Sequence, residues 1–356
     1  MKPSDMKKFS EVIAKTPKTP KNFQEYLDLY AVPVGEIVNK YIESGTHTDI
    51  SKYLYEPLLE YSENGGKRHR PLICFAACAA CGGDVDLATS CAAALEHFHT
   101  AALIHDDIAD GAHTRRGKPC LHITQGEGLA INMGDLALSM VNGTVMKDPS
   151  LDTNTRVRVV TELLDMTART VEGQAMDIGW ARDARFDIST NDYLCMAEHK
   201  TAHYSGGVPL ACGAIIAGTD DETVEGMREY GLATGLAFQI QDDLLNLIGS
   251  EEATKKDFRS DITEGKRTLV VVHALGCACA NDRARLVEIL SSGTQDAQVL
   301  QEAVDIMCAS ESIEFAKNYA NKLTGEAKIK LDAMLPPSPS KDILLSMADW
   351  FVNRLQ

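Results

Sequence analysis

Two acidic triplets share one spacing. In the segment LIHDDIADGAHTRRGKP, Asp106 and Asp107 are adjacent and Asp110 stands one helical turn beyond Asp106; in FQIQDDLLNLIG, Asp242, Asp243 and Asn246 repeat the pattern. Residues four apart share a helix face, so Asp106 and Asp110 can converge on one ion. Both triplets close apolar runs, which places like charges at helix C-termini, the unfavourable end of the macrodipole. Something positive must compensate. Mg2+ suits the role because it prefers carboxylate and phosphate oxygens. One such triplet alone is best read as a solvated acidic helix end. Two in matched apolar contexts, each followed by basic residues, favour a site for metal and anion.

The basic residues lie close by in sequence. Arg115 and Arg116 follow the first triplet, and Lys255, Lys256, Arg259, Lys266 and Arg267 follow the second. A third basic run, Gly65-Gly66-Lys67-Arg68-His69-Arg70-Pro71, pairs glycines that allow close backbone approach with a proline suited to a first helical turn. Arg gives bidentate contacts to a phosphate, and Lys gives a point charge. His99 lies two turns before Asp106 on the same face. Lys200 and Thr201 interrupt EHKTAHYSGG ahead of a small-residue run, and Gln174 and Asp177 share a helix face. No Ser-His-Asp or Cys-His arrangement stands out.

These residues need long helices to hold them. Between residues 72 and 335 the only prolines are Pro119, Pro149 and Pro209, and the stretch is rich in Ala, Leu, Met, Glu and Lys. No sustained period-two alternation suggests a sheet. The fold class is therefore expected to be all-α, with the longest helices over residues 86–110, 154–179 and 221–249. Residues 1–21 read as a polar, partly disordered leader and residues 22–356 as one domain around a shared core.

Composition narrows the function. The 356 residues carry a formal net charge of −16, which argues against nucleic acid or anionic lipid as a partner. Any phosphate-bearing substrate must be held by local cations and metal against that charge. No stretch approaches the ~20 apolar residues of a membrane span. The ten cysteines include Cys74, Cys78 and Cys81 at helical spacing in an Ala-rich run. Small thiols packed between helices explain these better than a metal site, since no fourth ligand lies at zinc spacing. A reducing cytoplasm is the expected location.

Taken in order over residues 65–269, these motifs resemble the trans-isoprenyl diphosphate synthases, or polyprenyl synthetases. Residues 65–71 resemble the family's GGKxxRP loop; Asp106, Asp107 and Asp110 resemble its first aspartate-rich motif, with Arg115 and Arg116 in register. Gln174 with Asp177, Lys200 with Thr201, the run Phe238, Gln239, Asp242 and Asp243, and Lys266 resemble its later motifs. Three positions depart: Asn246 stands where Asp is usual, His69 replaces an apolar residue, and Asp257 occupies an expected lysine position with Lys256 beside it.

The resemblance implies a helical bundle around a central apolar cavity, a homodimer, and Mg2+ as cofactor. It implies that Asp106, Asp107, Asp110, Asp242, Asp243 and Asn246 hold metal against an allylic prenyl diphosphate, with Arg115, Lys200, Lys256 and Lys266 adding positive charge. Isopentenyl diphosphate is then held by Lys67, Arg70, His99 and Arg116, with Thr201 and Gln239 facing the allylic cation. The implied reaction is head-to-tail condensation by ionisation, condensation and elimination. Helix geometry addresses product length, since one turn rises about 5.4 Å, near one isoprene unit. Ala101 and Ala102 lie one turn behind Asp106 and are small, whereas His97 and Phe98 on the next turn are bulky. Closure there predicts a geranylgeranyl product. Two rivals remain: a class I terpene cyclase, which needs no second diphosphate site, and a non-catalytic subunit of a heteromeric synthase, for which Asn246 is the sole support.

Overall fold

The computed structural model describes residues 8–249 and 258–353. Helices dominate, and the only strands among the described residues are Thr114–Arg115 and Lys118–Pro119, a two-rung antiparallel pair. The all-α expectation holds. The three longest expected helices appear as Thr89–Ala109, Thr153–Arg182 and Asp221–Ile248. None of the helices among the described residues is long and apolar enough to cross a membrane.

The chain groups into two compact units where the sequence suggests one shared core. The first contains residues up to 167 together with 208–227 and 334–346; the second contains 168–207, 228–333 and the residues from 347 on. In the first unit the Thr89–Ala109 helix packs along Glu127–Met146. Their shared cluster includes Leu58, Tyr61, Ala101, Ile104, Met133 and Ala137, all buried. In the second, Tyr193, Leu236, Ile240, Leu244, Leu269 and Leu286 are among the buried members of a separate apolar core.

Part of the expected leader is ordered, while residues 16–22 have no regular structure. Residues Phe9–Lys15 form a helix, with Phe9 fully buried and stacked on Phe75 at 4.2 Å between ring centroids. Ser10 adds hydrogen bonds from its amide (2.9 Å) and hydroxyl (2.6 Å) to Asp86. Two apolar side chains in a polar run suffice once they find a partner surface.

The helix that carries the first triplet ends by a defined device. Gly111 adopts φ +60°, its N–H donates to the Ile108 carbonyl, and the Ala112 N–H donates to the Asp107 carbonyl at 2.9 Å. This paired closure ends the helix at Ala109, with Asp106 on its last turn and Asp110 as its C-cap. In the second unit, Ser189 and Asp192 form a reciprocal cap that starts the helix Thr190–Ala197. That helix runs into a wide-turn π-helical segment, Glu198–Gly207, which carries Lys200 and Thr201. Such wide turns recur at functional sites because they displace side chains from ordinary helical register.

Candidate active site

In the first unit the aspartates divide by exposure. Asp107 is 1% exposed, and both its oxygens are taken: Tyr61 donates its hydroxyl to Oδ2 at 3.1 Å and Arg115 donates Nε to Oδ1 at 2.5 Å. Asp106 is about one-third exposed with Arg115 Nη2 3.6 Å away, and Asp110 is exposed. Arg115 therefore ties the hairpin after the helix to the acidic turn itself.

The Gly-Gly-Lys loop builds a cationic patch in the same unit. Gly65 (φ +86°) and Gly66 (φ +122°) turn the chain, and Arg68, itself at φ +49°, precedes the helix His69–Ala80. Arg68 is buried in an ion pair with Glu96, also buried, and donates to the Ser62 carbonyl. Arg116 donates to the Gly65 carbonyl at 2.6 Å. His69 and His99 meet edge to face with centroids 6.5 Å apart. Loss of hydration, then Arg70, His69, Arg116 and Arg68 in turn, hold the His99 imidazole well below its ordinary pKa. Lys67 is exposed at the loop's tip, while Arg70 is buried. Lys67, Arg68, Arg70 and Arg116 thus gather around one loop, a concentration of positive charge suited to an anion.

In the second unit a chain of hydrogen bonds joins four side chains. Thr201 donates its hydroxyl to Gln239 Oε1; Gln239 Nε2 donates to Asp243 Oδ1 at 2.7 Å; and Tyr193, fully buried, donates its hydroxyl to Asp243 Oδ2 at 2.7 Å. Burial first, then the neighbouring Asp261 carboxylate, pushes the Asp243 carboxyl up to about 8, against the pull of Tyr193 and Gln239. Lys200 is ion-paired with buried Asp177. Lys266 reaches Asp261 at 3.3 Å and Glu264 at 2.7 Å. Gly173 makes the Lys200 geometry attainable, because a Cβ there would lie 2.2 Å from the Lys200 amide nitrogen.

Several expected site residues sit differently from their sequence reading. Asn246 orders the following loop: its Oδ1 accepts the Asp261 N–H at 3.2 Å and its Nδ2 donates to Ser260 Oγ at 3.0 Å. Arg267 is buried, stacks on Phe186 at 4.0 Å and donates to the Arg185 carbonyl, so it braces the loop from within. Ala101 is fully buried in the apolar cluster against Glu127–Met146, away from the Asp106 face; Phe98, Ala102, Asp106 and Asp110 follow one i, i+4 row. His97 and Phe98 are both buried. Lys256 lies outside the described residues. Tyr61, Tyr193 and Glu96 were missed by spacing, because each acts through a partner 28 to 50 residues away.

Among the described residues no three His, Cys, Asp or Glu side chains converge to cage a metal ion. Mg2+ retains waters and is commonly bound by one or two carboxylates together with substrate phosphates. Asp106 and Asp242, half-buried, and Asp110, exposed, carry oxygen donors of that kind.

Comparison with known proteins agrees in both sequence and fold. A family model described as Polyprenyl synthetase matches residues 51–307. A short chain isoprenyl diphosphate synthase of Methanothermobacter thermautotrophicus is 36% identical over 90% of this chain and 98% of its own. A geranylgeranyl diphosphate synthase of Sulfolobus acidocaldarius is 33% identical over 92% of this chain and 99% of its own. The crystal structure of a geranylgeranyl pyrophosphate synthetase from Pyrococcus horikoshii superposes with a TM-score of 0.84 at 30% identity, covering 97% of this chain and 99% of that one.

Proposed function

The chain belongs to the polyprenyl synthetase family, and from that premise we propose that it condenses isopentenyl diphosphate with an allylic prenyl diphosphate, head to tail, to give geranylgeranyl diphosphate. It is a trans-prenyltransferase. The observation that carries the site assignment is the repeated pattern within each unit: an aspartate pair toward a helix end, with Arg115 against one, and with Lys200 and Lys266 paired to Asp177 and Asp261, whose charges act on Asp243, by the other.

Asp106, Asp110 and Asp242 are the residues that would hold Mg2+ with the allylic diphosphate. When bound, the metal supplies charge neutralisation that improves diphosphate as a leaving group. Arg115, Lys200 and Lys266 add fixed positive charge to the departing oxygens, which favours ionisation where charge develops. The Thr201 and Gln239 oxygens present dipoles to the allylic cation. Lys67, Arg70, His99 and Arg116 bind the diphosphate of isopentenyl diphosphate and hold its double bond for attack. The proton lost in the last step goes to the released diphosphate, so no side-chain base is needed.

Product length is read from the Phe98–Ala102–Asp106 row. Ala102 leaves room for the tail, and Phe98 closes the path one turn later. The naming of the Sulfolobus and Pyrococcus relatives supports the same length. A homodimer is part of this reading. In the first unit, Ile131, Met146, Val157 and Leu164 are 44–52% exposed on the two helices Glu127–Met146 and Thr153–Arg182, apolar surface that a second copy would cover. The test is chromatography of products formed with Mg2+, isopentenyl diphosphate and dimethylallyl, geranyl or farnesyl diphosphate in turn. Wild type should stop at geranylgeranyl diphosphate and Phe98→Ala should run longer; an unchanged length in the variant removes Phe98 as the floor. Turnover of the allylic diphosphate alone would favour a cyclase.

A further inference from the structure

We propose that Tyr61 and Tyr193 are matched positioning residues, each anchoring the inner aspartate of one acidic triplet so that the outer carboxylates stay aimed at metal and diphosphate. The proposal rests on the functional reading above. Its basis is a correspondence between two sites with no sequence in common around the tyrosines. In the first triplet the second aspartate, Asp107, accepts the Tyr61 hydroxyl at 3.1 Å on one oxygen and Arg115 Nε at 2.5 Å on the other. In the second triplet the second aspartate, Asp243, accepts the Tyr193 hydroxyl at 2.7 Å on one oxygen and Gln239 Nε2 at 2.7 Å on the other.

Each tyrosine comes from a separate short helix, Glu56–Glu63 or Thr190–Ala197, and each is buried, at 7% and 0% exposure. The inner aspartates are buried too, at 1% and 9%. A carboxylate engaged on both oxygens and withdrawn from water is a poor ligand for an ion that keeps its waters. The outer carboxylates Asp106 and Asp110 have the exposure that the inner one lacks. A phenol suits the anchoring task. It offers one neutral donor on a rigid ring, so it fixes a carboxylate's orientation without adding a charge that competes with the metal. Because inner and outer aspartates share one helical turn, fixing the inner one fixes the rotation of the outer ones. Groups that orient metal ligands affect affinity without touching the ion.

The experiment compares full-length wild type with Tyr61→Phe and Tyr193→Phe. Binding of inorganic pyrophosphate is followed calorimetrically across a Mg2+ series, and the ligand-free melting temperature is recorded alongside. Each variant should raise the half-saturating Mg2+ concentration roughly ten-fold, the lower end of the range for such partners. A role in packing alone would lower the melting temperature and leave the Mg2+ dependence where it was, and that result in both variants overturns the proposal. Asp107→Asn and Asp243→Asn keep an oxygen for the phenol and give a reading that does not depend on the phenylalanine variants folding. They should lose less Mg2+ affinity than Asp106→Asn and Asp242→Asn; an equal or larger loss at the inner positions also overturns it. Failure of the wild type itself to bind pyrophosphate with Mg2+ would instead overturn the functional reading.

Discussion

Lys200 is ion-paired with Asp177 across 23 residues of sequence, its backbone seated against Gly173 on the same helix as that aspartate. The cation is thereby held ready with its charge compensated, and an arriving diphosphate can take the place of the carboxylate. Lys200→Ala should lower kcat by about 10²-fold or more, the scale seen when one fixed donor to a developing charge is removed. Steady-state kinetics with a saturating allylic primer check this. A change confined to KM would mean that Lys200 serves ground-state binding instead.

The Arg68–Glu96 pair buries two charges beneath the Gly-Gly-Lys loop. Breaking a buried pair from one side strands the other charge and costs about 3–5 kcal/mol. Glu96→Ala should therefore show a loss of that size in urea denaturation. The double change Arg68→Met with Glu96→Leu should recover most of it, because no charge is left stranded. Equal losses in the single and double variants would show that the pair's geometry matters for more than charge.

Buried His97 should make the first unit less stable in acid. It is 3% exposed, and burial pulls its imidazole down to about 4 from the ordinary 6.5. Below 6.5 the unfolded chain binds a proton that the folded chain refuses, so stability falls as pH drops toward 4 and changes no further beneath it. The difference of about 2.5 pH units corresponds to about 3 kcal/mol at the acid limit. His99, also depressed, adds to the same trend. Denaturation of His97→Leu at pH 7.5 and pH 5 should show a stability drop smaller than wild type by about 2 kcal/mol. An unchanged drop would place the acid sensitivity elsewhere.

These residues also show how far local spacing carries. The register of Arg115 comes from the family resemblance; helix length and the two acidic turns follow from composition and periodicity, which act over a few residues. The division of labour inside each triplet does not. Nothing near Asp107 or Asp243 in sequence signals that Tyr61 and Tyr193, 46 and 50 residues earlier, donate to them. Asn246 looks like a weakened ligand, yet its amide donates to Ser260 while its oxygen accepts from Asp261, and an aspartate could not make the first of these bonds. Phe9 reads as one apolar residue in a polar run because its partner, Phe75, is remote in sequence. Gly173 carries no local signal, since what it admits is the backbone of Lys200.

The central claim is that both acidic triplets are needed for elongation by isopentenyl diphosphate. It is tested most directly by counting label transferred from isopentenyl diphosphate into the farnesyl chain, with Mg2+, in wild type, Asp106→Ala and Asp242→Ala. Wild type should form labelled geranylgeranyl diphosphate, and either substitution should cut incorporation by about 10³-fold. Incorporation absent from wild type, or surviving both substitutions, would contradict the account.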